Sequence, residues 1–282
     1  MIEKEKHFLI VGLGMMGGSY AERLSQAGYR VYAADSDPDA LAIGKKRGII
    51  RNEDESEEDR IAGADYLILA LPPSLCPVWL EKHRNRLKKD AMLTDIIGVK
   101  AHFIDDMQNL LEEGQELISM HPMTGKETKG VVHASGNIFN SSTMLIVPTE
   151  RNTARGRQFA DELAKILGVK NVRVVSDKEH DRAVGYVSHL PHLLAVSLIN
   201  ACPDSDFGEC AGTAFKDFSR IANINEALWG EILMENRREL LPLIEKYIAE
   251  LHLLEAALKE EDRERLNAEL KRSREKMNRL RR

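Results

Sequence analysis

Cysteine is scarce in this chain of 282 residues: Cys76, Cys202 and Cys210 are its whole complement, widely spaced and with no CxxC pair. That argues against a disulfide framework and a cysteine-rich metal site, and it fits a reducing cytoplasm. Neither sign of charge dominates. The formal net charge is −5, so the bulk balance gives no reason to expect a nucleic-acid partner. Long apolar runs are missing as well. Residues 8–11 follow a charged N-terminus and are far too few for a signal-peptide core or a membrane span. No internal repeat is present. What remains is a soluble chain, 43% hydrophobic and long enough for two domains with real cores.

The first part alternates short β-branched runs with helical patterns. Strands are expected at residues 8–11, 30–34, 66–70, 91–94, 117–120, 144–147 and 172–175. Strands separated by helical segments predict one parallel sheet with right-handed crossovers. Their apolar character on both faces predicts cover on both sides. The acidic run at residues 53–59 reads as a solvated loop, and Lys45, Lys46 and Arg47 as a solvated helix face. The character changes near Ser176. Residues 1–176 read as a Rossmann-type α/β domain, and residues 177–282 as an all-α domain with no floppy linker between them. Asp177 is the expected N-cap of a long helix through about Asn200. Leu240, Ile244, Tyr247, Leu251, Leu254 and Leu258 recur at steps of four and three, a helical apolar stripe. It offers more apolar surface than a lone terminal helix needs, so a homodimer through this domain is expected. The last twelve residues carry seven Lys or Arg and read as a solvated helix end.

Gly12-Leu13-Gly14-Met15-Met16-Gly17 is a GxGxxG between a strand and a helix. Gly12 suits a tight turn, Gly14 a close approach of backbone to a pyrophosphate, and Gly17 close packing of helix on strand. The pyrophosphate would sit on free amides at the positive end of the helix. Asp35 ends the second strand at the usual distance of about 20 residues for an acid that holds the adenosine ribose. A carboxylate there repels a 2′-phosphate, so NAD is expected over NADP. The C-terminal edge of such a sheet is where ligands bind. Leu71 and Pro72 after the third strand, and Asp95 after the fourth, therefore join the expected cofactor contacts.

Several polar clusters are not explained by a core. His121 follows an apolar strand, with Gly125, Lys126 and Glu127 close behind. His189 and His192 lie three apart in Ser188-His189-Leu190-Pro191-His192 and share a helix face. No carboxylate or cysteine completes a ligand set at helical spacing, so no metal is expected. Lys216 and Arg220 put charge inside an otherwise apolar helical region.

Taken in order, five blocks resemble the prephenate and arogenate dehydrogenase family. They are the Gly12 turn, Thr94-Asp95 to Val99-Lys100, His121-Pro122-Met123 with Gly125 and Glu127, the His189–His192 block, and Lys216-Asp217-Phe218-Ser219-Arg220. The resemblance implies a Rossmann domain, a helical domain forming an intertwined dimer, and NAD as cofactor. It implies that the substrate is prephenate or arogenate and that carbon dioxide leaves as the ring becomes aromatic. By the same resemblance His121 is the catalytic histidine, which accepts a hydrogen bond from the ring hydroxyl. Arg220 binds a substrate carboxylate, His189, His192 and Lys216 lie at the substrate end, and Glu127 gates the site. In place of a serine common in the family the chain has Gly98, here expected to touch nicotinamide or substrate. Other two-domain hydride-transfer enzymes, such as 3-hydroxyacid dehydrogenases and imine reductases, would share the glycine turn, as would a silent NAD-binding sensor. None of these requires the His121 and Arg220 blocks.

Overall fold

The structure, a computed structural model, describes residues 2–280 except Asp54, His102, Glu127 and Asp204. Strand β1 (His7–Val11) leads through the glycine turn into helix α1 (Met15–Gln26), then β2 (Arg30–Ala34). Helices α2 (Pro38–Lys46) and α3 (Glu57–Gly63) precede β3 (Tyr66–Leu69). Helix α4 (Leu75–His83), β4 (Met92–Asp95), α5 (Phe103–Asn109) and β5 (Glu116–Leu117) follow. The five strands form a parallel sheet in the order β2-β1-β3-β4-β5. Alternation along β1 serves both faces. Phe8 and Ile10 enter the core under α1, while Leu9 and Val11 enter a second core with Ile61 and Leu80. At the outer edge the Asn52 amide mimics a strand. It accepts from Ala33 N at 2.9 Å and donates to Ala33 O at 2.7 Å.

The expectation of one parallel sheet is corrected. The run at residues 117–120 divides at Ile118. Glu116–Leu117 stays with β4, and β6 (Ser119–Pro122) turns away to start a second sheet. There β6 pairs antiparallel with β7 (Thr143–Val147), which pairs parallel with β8 (Asn171–Val174). Helix α6 (Ala154–Leu167) connects β7 to β8. The bend takes His121 out of the first sheet and into the second, opposite Leu145 and beside Gly98 in the segment after β4. Expected cover on both faces also fails at β8, where Val172 and Val174 are 43% and 65% exposed.

Two local readings change for electrostatic reasons. The end of the acidic run, Glu57 to Asp59, is the first turn of α3, with a capping box between Ser56 and Asp59, while Glu53 and Glu55 are loop as expected. Carboxylates favour a helix N-terminus, where the dipole is positive. Arg47 is not a merely solvated side chain. It pairs with Glu22 at 2.8 Å, bonds to Ala134 O at 2.9 Å and also reaches Val131 O, tying the segment before β7 to α1.

The helical region begins at Ser176, which caps α7 (Asp177–Val184) in a box with Glu179. The cap is thus one residue before the expected Asp177, because the serine hydroxyl accepts from Glu179 N at 3.2 Å. The long helix continues as a π-helical turn, Gly185–His189, into α8 (Leu190–Asn200). Pro191 explains the wide turn, since its ring lacks an N–H and clashes with the carbonyl four residues earlier. Helices α9 (Thr213–Ser219), α10 (Glu226–Glu235), α11 (Arg237–Lys259) and α12 (Arg263–Leu280) complete the described residues. Leu240 of the expected stripe is buried within the chain, but Leu251 and Leu258 are 51% and 64% exposed.

Candidate active site

The glycine turn has the shape a dinucleotide requires. Gly12 has φ +90°, and a Cβ there would lie 2.6 Å from Ala70 O. A Cβ on Gly17 would lie 1.9 Å from Gly12 O, so α1 packs against the turn as only glycine allows. A Cβ on Gly14 would meet nothing within 4 Å, which is the open approach a pyrophosphate needs. Gly14 is also the N-cap of α1 and has no side chain to satisfy the first amides, so they remain for an anion. Asp35 stands beside this turn, where its carboxylate accepts from Leu13 N at 2.5 Å and from Asp37 N at 2.8 Å. Leu71 and Pro72 follow β3. The Leu71 side chain borders Gly12, with Cδ2 2.9 Å from the position of a Cβ there.

Asp95 is placed differently from its expected contact with cofactor. It is fully buried. One oxygen takes Lys100 Nζ at 2.5 Å and Ile97 N at 3.0 Å, and the other takes the Ser119 hydroxyl. Lys100 Nζ also donates to Met120 O at 3.0 Å. This buried pair lies beneath β6 and pins the strand that carries His121. Burial pulls the Lys100 pKa down against the opposing pull of Asp95.

His121 stands at the end of a relay that the sequence reading missed. Its Nδ1 is 2.9 Å from His180 Nε2, and His180 Nδ1 is 2.7 Å from Asp181 Oδ1. Asp181 further accepts from the backbone amides of Lys100 and Ala101, both at 2.8 Å. Every group facing Asp181 Oδ1 and Oδ2 in these contacts is a donor, so the carboxylate form fits. His180 then carries its proton on Nδ1 and accepts at Nε2. His121 must donate from Nδ1, and its Nε2 keeps a lone pair. Burial lowers the His121 pKa well below 6.5, reinforced by His180, Lys100 and His189. Burial also lowers that of His180, with Lys100 and His189 acting the same way. The relay therefore holds a neutral imidazole with a fixed tautomer. Its one sequence signal was the adjacent His180-Asp181 dipeptide, in the helix turn after the capping box.

Gly98 is beside the basic nitrogen. A Cβ there would lie 3.8 Å from His121 Cε1, 3.9 Å from His121 Nε2 and 3.9 Å from Ile232 Cδ1. These are ordinary contacts, so glycine is not forced here by space. Ile232 belongs to α10, which reaches across from the helical region.

His189 and His192 gather around Trp229, another residue the sequence reading missed. His192 packs on its ring with centroids 3.9 Å apart, and His189 meets it edge-on at 6.0 Å. His192 Nδ1 lies 2.7 Å from Ser188 O and must donate to it. His189 Nδ1 lies 3.0 Å from Asn236 Nδ2 and accepts, leaving the proton on its Nε2. Burial pushes the His189 pKa down to about 4, with His192 adding to the effect and Asp181 opposing it. Asn236 also donates to Asp181 O at 2.9 Å, linking this cluster to the relay. Lys216 on α9 and Arg220 on the turn Arg220–Ala222 are solvent-exposed in the single chain, on elements packed against α8. Glu127 lies outside the described residues.

The chain thus carries an open dinucleotide turn, a buried histidine relay, and two histidines, a lysine and an arginine on its helical region. The family model described as the prephenate dehydrogenase nucleotide-binding domain matches residues 20–175. The model described as its dimerization domain matches residues 176–272. Prephenate dehydrogenase of Lactococcus lactis subsp. cremoris is 32% identical, over 90% of this chain and 71% of that protein. The Bacillus subtilis prephenate dehydrogenase is 26% identical over 94% of this chain and 74% of its own length. Among solved structures, A. aeolicus prephenate dehydrogenase in complex with hydroxyphenyl propionate and NAD+ is 29% identical. Its TM-score is 0.88, covering 99% of this chain and all of that one. The chain belongs to the prephenate dehydrogenase family.

Proposed function

We propose that the protein oxidises prephenate with NAD+ and releases carbon dioxide, forming 4-hydroxyphenylpyruvate on the way to tyrosine. The observation that carries this reading is the lone pair on His121 Nε2, fixed by the His180–Asp181 relay and turned toward Gly98. The A. aeolicus relative binds hydroxyphenyl propionate and NAD+, which supports the same ligand classes here.

Bound NAD+ supplies the hydride acceptor, and the residues present suit it: the open side of Gly14, the free amides of α1 and the carboxylate of Asp35. Leu71 borders the same turn and Pro72 follows it in the chain. His121 then accepts a hydrogen bond from the ring hydroxyl of the substrate. As hydride leaves the carbon bearing that hydroxyl, the carbon gathers positive charge and His121 Nε2 draws on the O–H to stabilise it. The ring carboxylate departs as carbon dioxide, and its bonding electrons complete the aromatic ring. The hydroxyl proton stays with the phenol product, so the imidazole ends as it began. A neutral base is the right group because an imidazolium would repel the developing charge, and burial of His121 opposes that form.

Arg220 grips a substrate carboxylate through its planar fork, which suits bidentate pairing. His189 offers an Nε2–H to the same end of the pocket, and His192 and Lys216 extend this donor-rich wall. A dianionic substrate fits a wall of this character. The protein works in the cytoplasm, consistent with its three free cysteines. It works as a homodimer, with the exposed line of Leu241, Ile248, Leu251 and Leu258 on α11 covered by a second copy. The family model's dimerization domain supports that assembly, and sedimentation as a monomer at micromolar concentration would contradict it.

The deciding assay is NADH formation with prephenate, arogenate and a panel of hydroxyacids. Turnover with prephenate supports the proposal. A folded, NADH-binding protein that yields no NADH from prephenate overturns it, and turnover with arogenate alone assigns the amino-bearing substrate instead.

A further inference from the structure

Helix α10 touches residues of both the helical region and the nucleotide-binding side. Trp229 packs on His192, Ile232 approaches Gly98, and Asn236 just past the helix end holds His189 and the Asp181 carbonyl. These contacts fasten α10 to the substrate end. Glu231 lies between Trp229 and Ile232 and reaches the nucleotide-binding side, where its carboxylate accepts a hydrogen bond from the backbone N–H of Ser74. The two residues are 157 apart in sequence. Ser74 is the N-cap of α4, and its own side chain makes no capping bond. Glu231 therefore supplies an anionic acceptor at a helix N-terminus, where the dipole favours it. Pro72 and Pro73 precede Ser74 and have no N–H with which to anchor themselves. The other end of this turn is Leu71, seated against Gly12.

We infer that Glu231 is a positioning residue for the cofactor. By holding Ser74 it fixes the Leu71-Pro72-Pro73 turn against the glycine turn, so that a carboxylate from the helical region sets how tightly the nucleotide is held. The inference rests on the proposed reading of Leu71 and Pro72 as cofactor contacts. Glu231 acts through the main chain of Ser74 and has no part in the chemical step.

The test uses the full-length protein with Glu231→Ala and Glu231→Gln, read by NADH fluorescence titration, the KM for NAD+ and kcat. Loss of a charge-assisted hydrogen bond at a partly exposed position should weaken NADH binding about five- to tenfold in Glu231→Ala. Glu231→Gln keeps an acceptor oxygen and should stay within about threefold of the parent protein. A lowered melting temperature with unchanged NADH affinity in Glu231→Ala would overturn the inference, because the contact would then be structural only. Equal weakening in both variants would also overturn it, since charge rather than the hold on Ser74 would be the cause. Leu71→Asp separates this inference from the reading beneath it. Binding weakened by Leu71→Asp and not by Glu231→Ala overturns the role of Glu231 alone. Binding unchanged in both overturns the placement of the turn against the cofactor as well.

Discussion

Replacing His180 by phenylalanine isolates what the relay contributes. The ring is kept close in size, but His121 Nδ1 loses the acceptor now 2.9 Å away. With its proton on Nδ1, His121 would bury an unpaired N–H, at a cost of about 1 to 3 kcal/mol. Moving the proton to Nε2 avoids that cost and removes the lone pair the reaction needs. At about 1.4 kcal/mol per factor of ten, the working tautomer falls about 5- to 150-fold in population. The expected result is a kcat lowered by that factor, with NADH affinity unchanged. His180→Gln is the conservative control. Its carbonyl can accept from His121 while its NH2 donates to Asp181, so activity should return to within about tenfold of the parent. The assay is steady-state NADH formation, with a thermal melt to establish folding and ring ¹⁵N shifts to report which nitrogen of His121 is protonated. A folded His180→Phe protein with kcat within about threefold of the parent would refute the reasoning. So would equal loss in the phenylalanine and glutamine variants.

Three further outcomes are expected. Arg220→Ala should raise the KM for prephenate about 10- to 100-fold while leaving NADH affinity unchanged, since a carboxylate loses a charged hydrogen-bond partner; a change in cofactor affinity alone would mean that Arg220 is misassigned. Gly98→Ser should fold and stay active within about fivefold of the parent, because its Cβ meets only ordinary contacts at 3.8 to 3.9 Å and a bridging water costs at most about 2 kcal/mol; activity in the serine variant alone would show that the natural chain needs the hydroxyl it lacks. Acid should destabilise the fold between about pH 6.5 and pH 4. His121, His180 and His189 all have pKa values lowered by burial, His189 to about 4. Each binds fewer protons folded than unfolded, so its contribution is present above 6.5 and is lost as pH falls. For His189 alone the loss at pH 5 is about 2 kcal/mol, and denaturant midpoints that stay flat from pH 7 to pH 5 would contradict it.

The parts of the fold that were legible in the sequence are those one residue dictates locally. Gly12 and Gly17 announce their turn because a Cβ at either would strike backbone. Apolar runs announce β1 to β4 because both faces of those strands are buried. The break at Ile118 was not legible, since Leu117, Ile118 and Met120 are apolar on both sides of it, Ser119 alone marks no turn, and only pairing partners decide where a strand goes. The second sheet depends on His121 facing Leu145, a register no local pattern encodes. In the site, His121 stood out as a histidine at a strand end. His180 and Asp181 did not, because their meaning comes from contacts with His121, Lys100 and Ala101 made 59 to 81 residues away. Asp95 was read as a ligand-edge acid. The strand position was right, but the buried cation of Lys100 occupies its carboxylate. Trp229 and Glu231 came from a helix whose sequence carries no motif, and folding brings them against His192 and Ser74.

The central claim is that this chain aromatises prephenate by hydride loss assisted by His121. The most direct measurement is product stoichiometry for the parent protein and His121→Asn, with NADH, carbon dioxide and 4-hydroxyphenylpyruvate followed together. The parent should form all three in equal amounts. His121→Asn should bind NADH as before and turn over about 100- to 10,000-fold more slowly. Equal turnover in the two proteins, or NADH formed without carbon dioxide, would contradict the account.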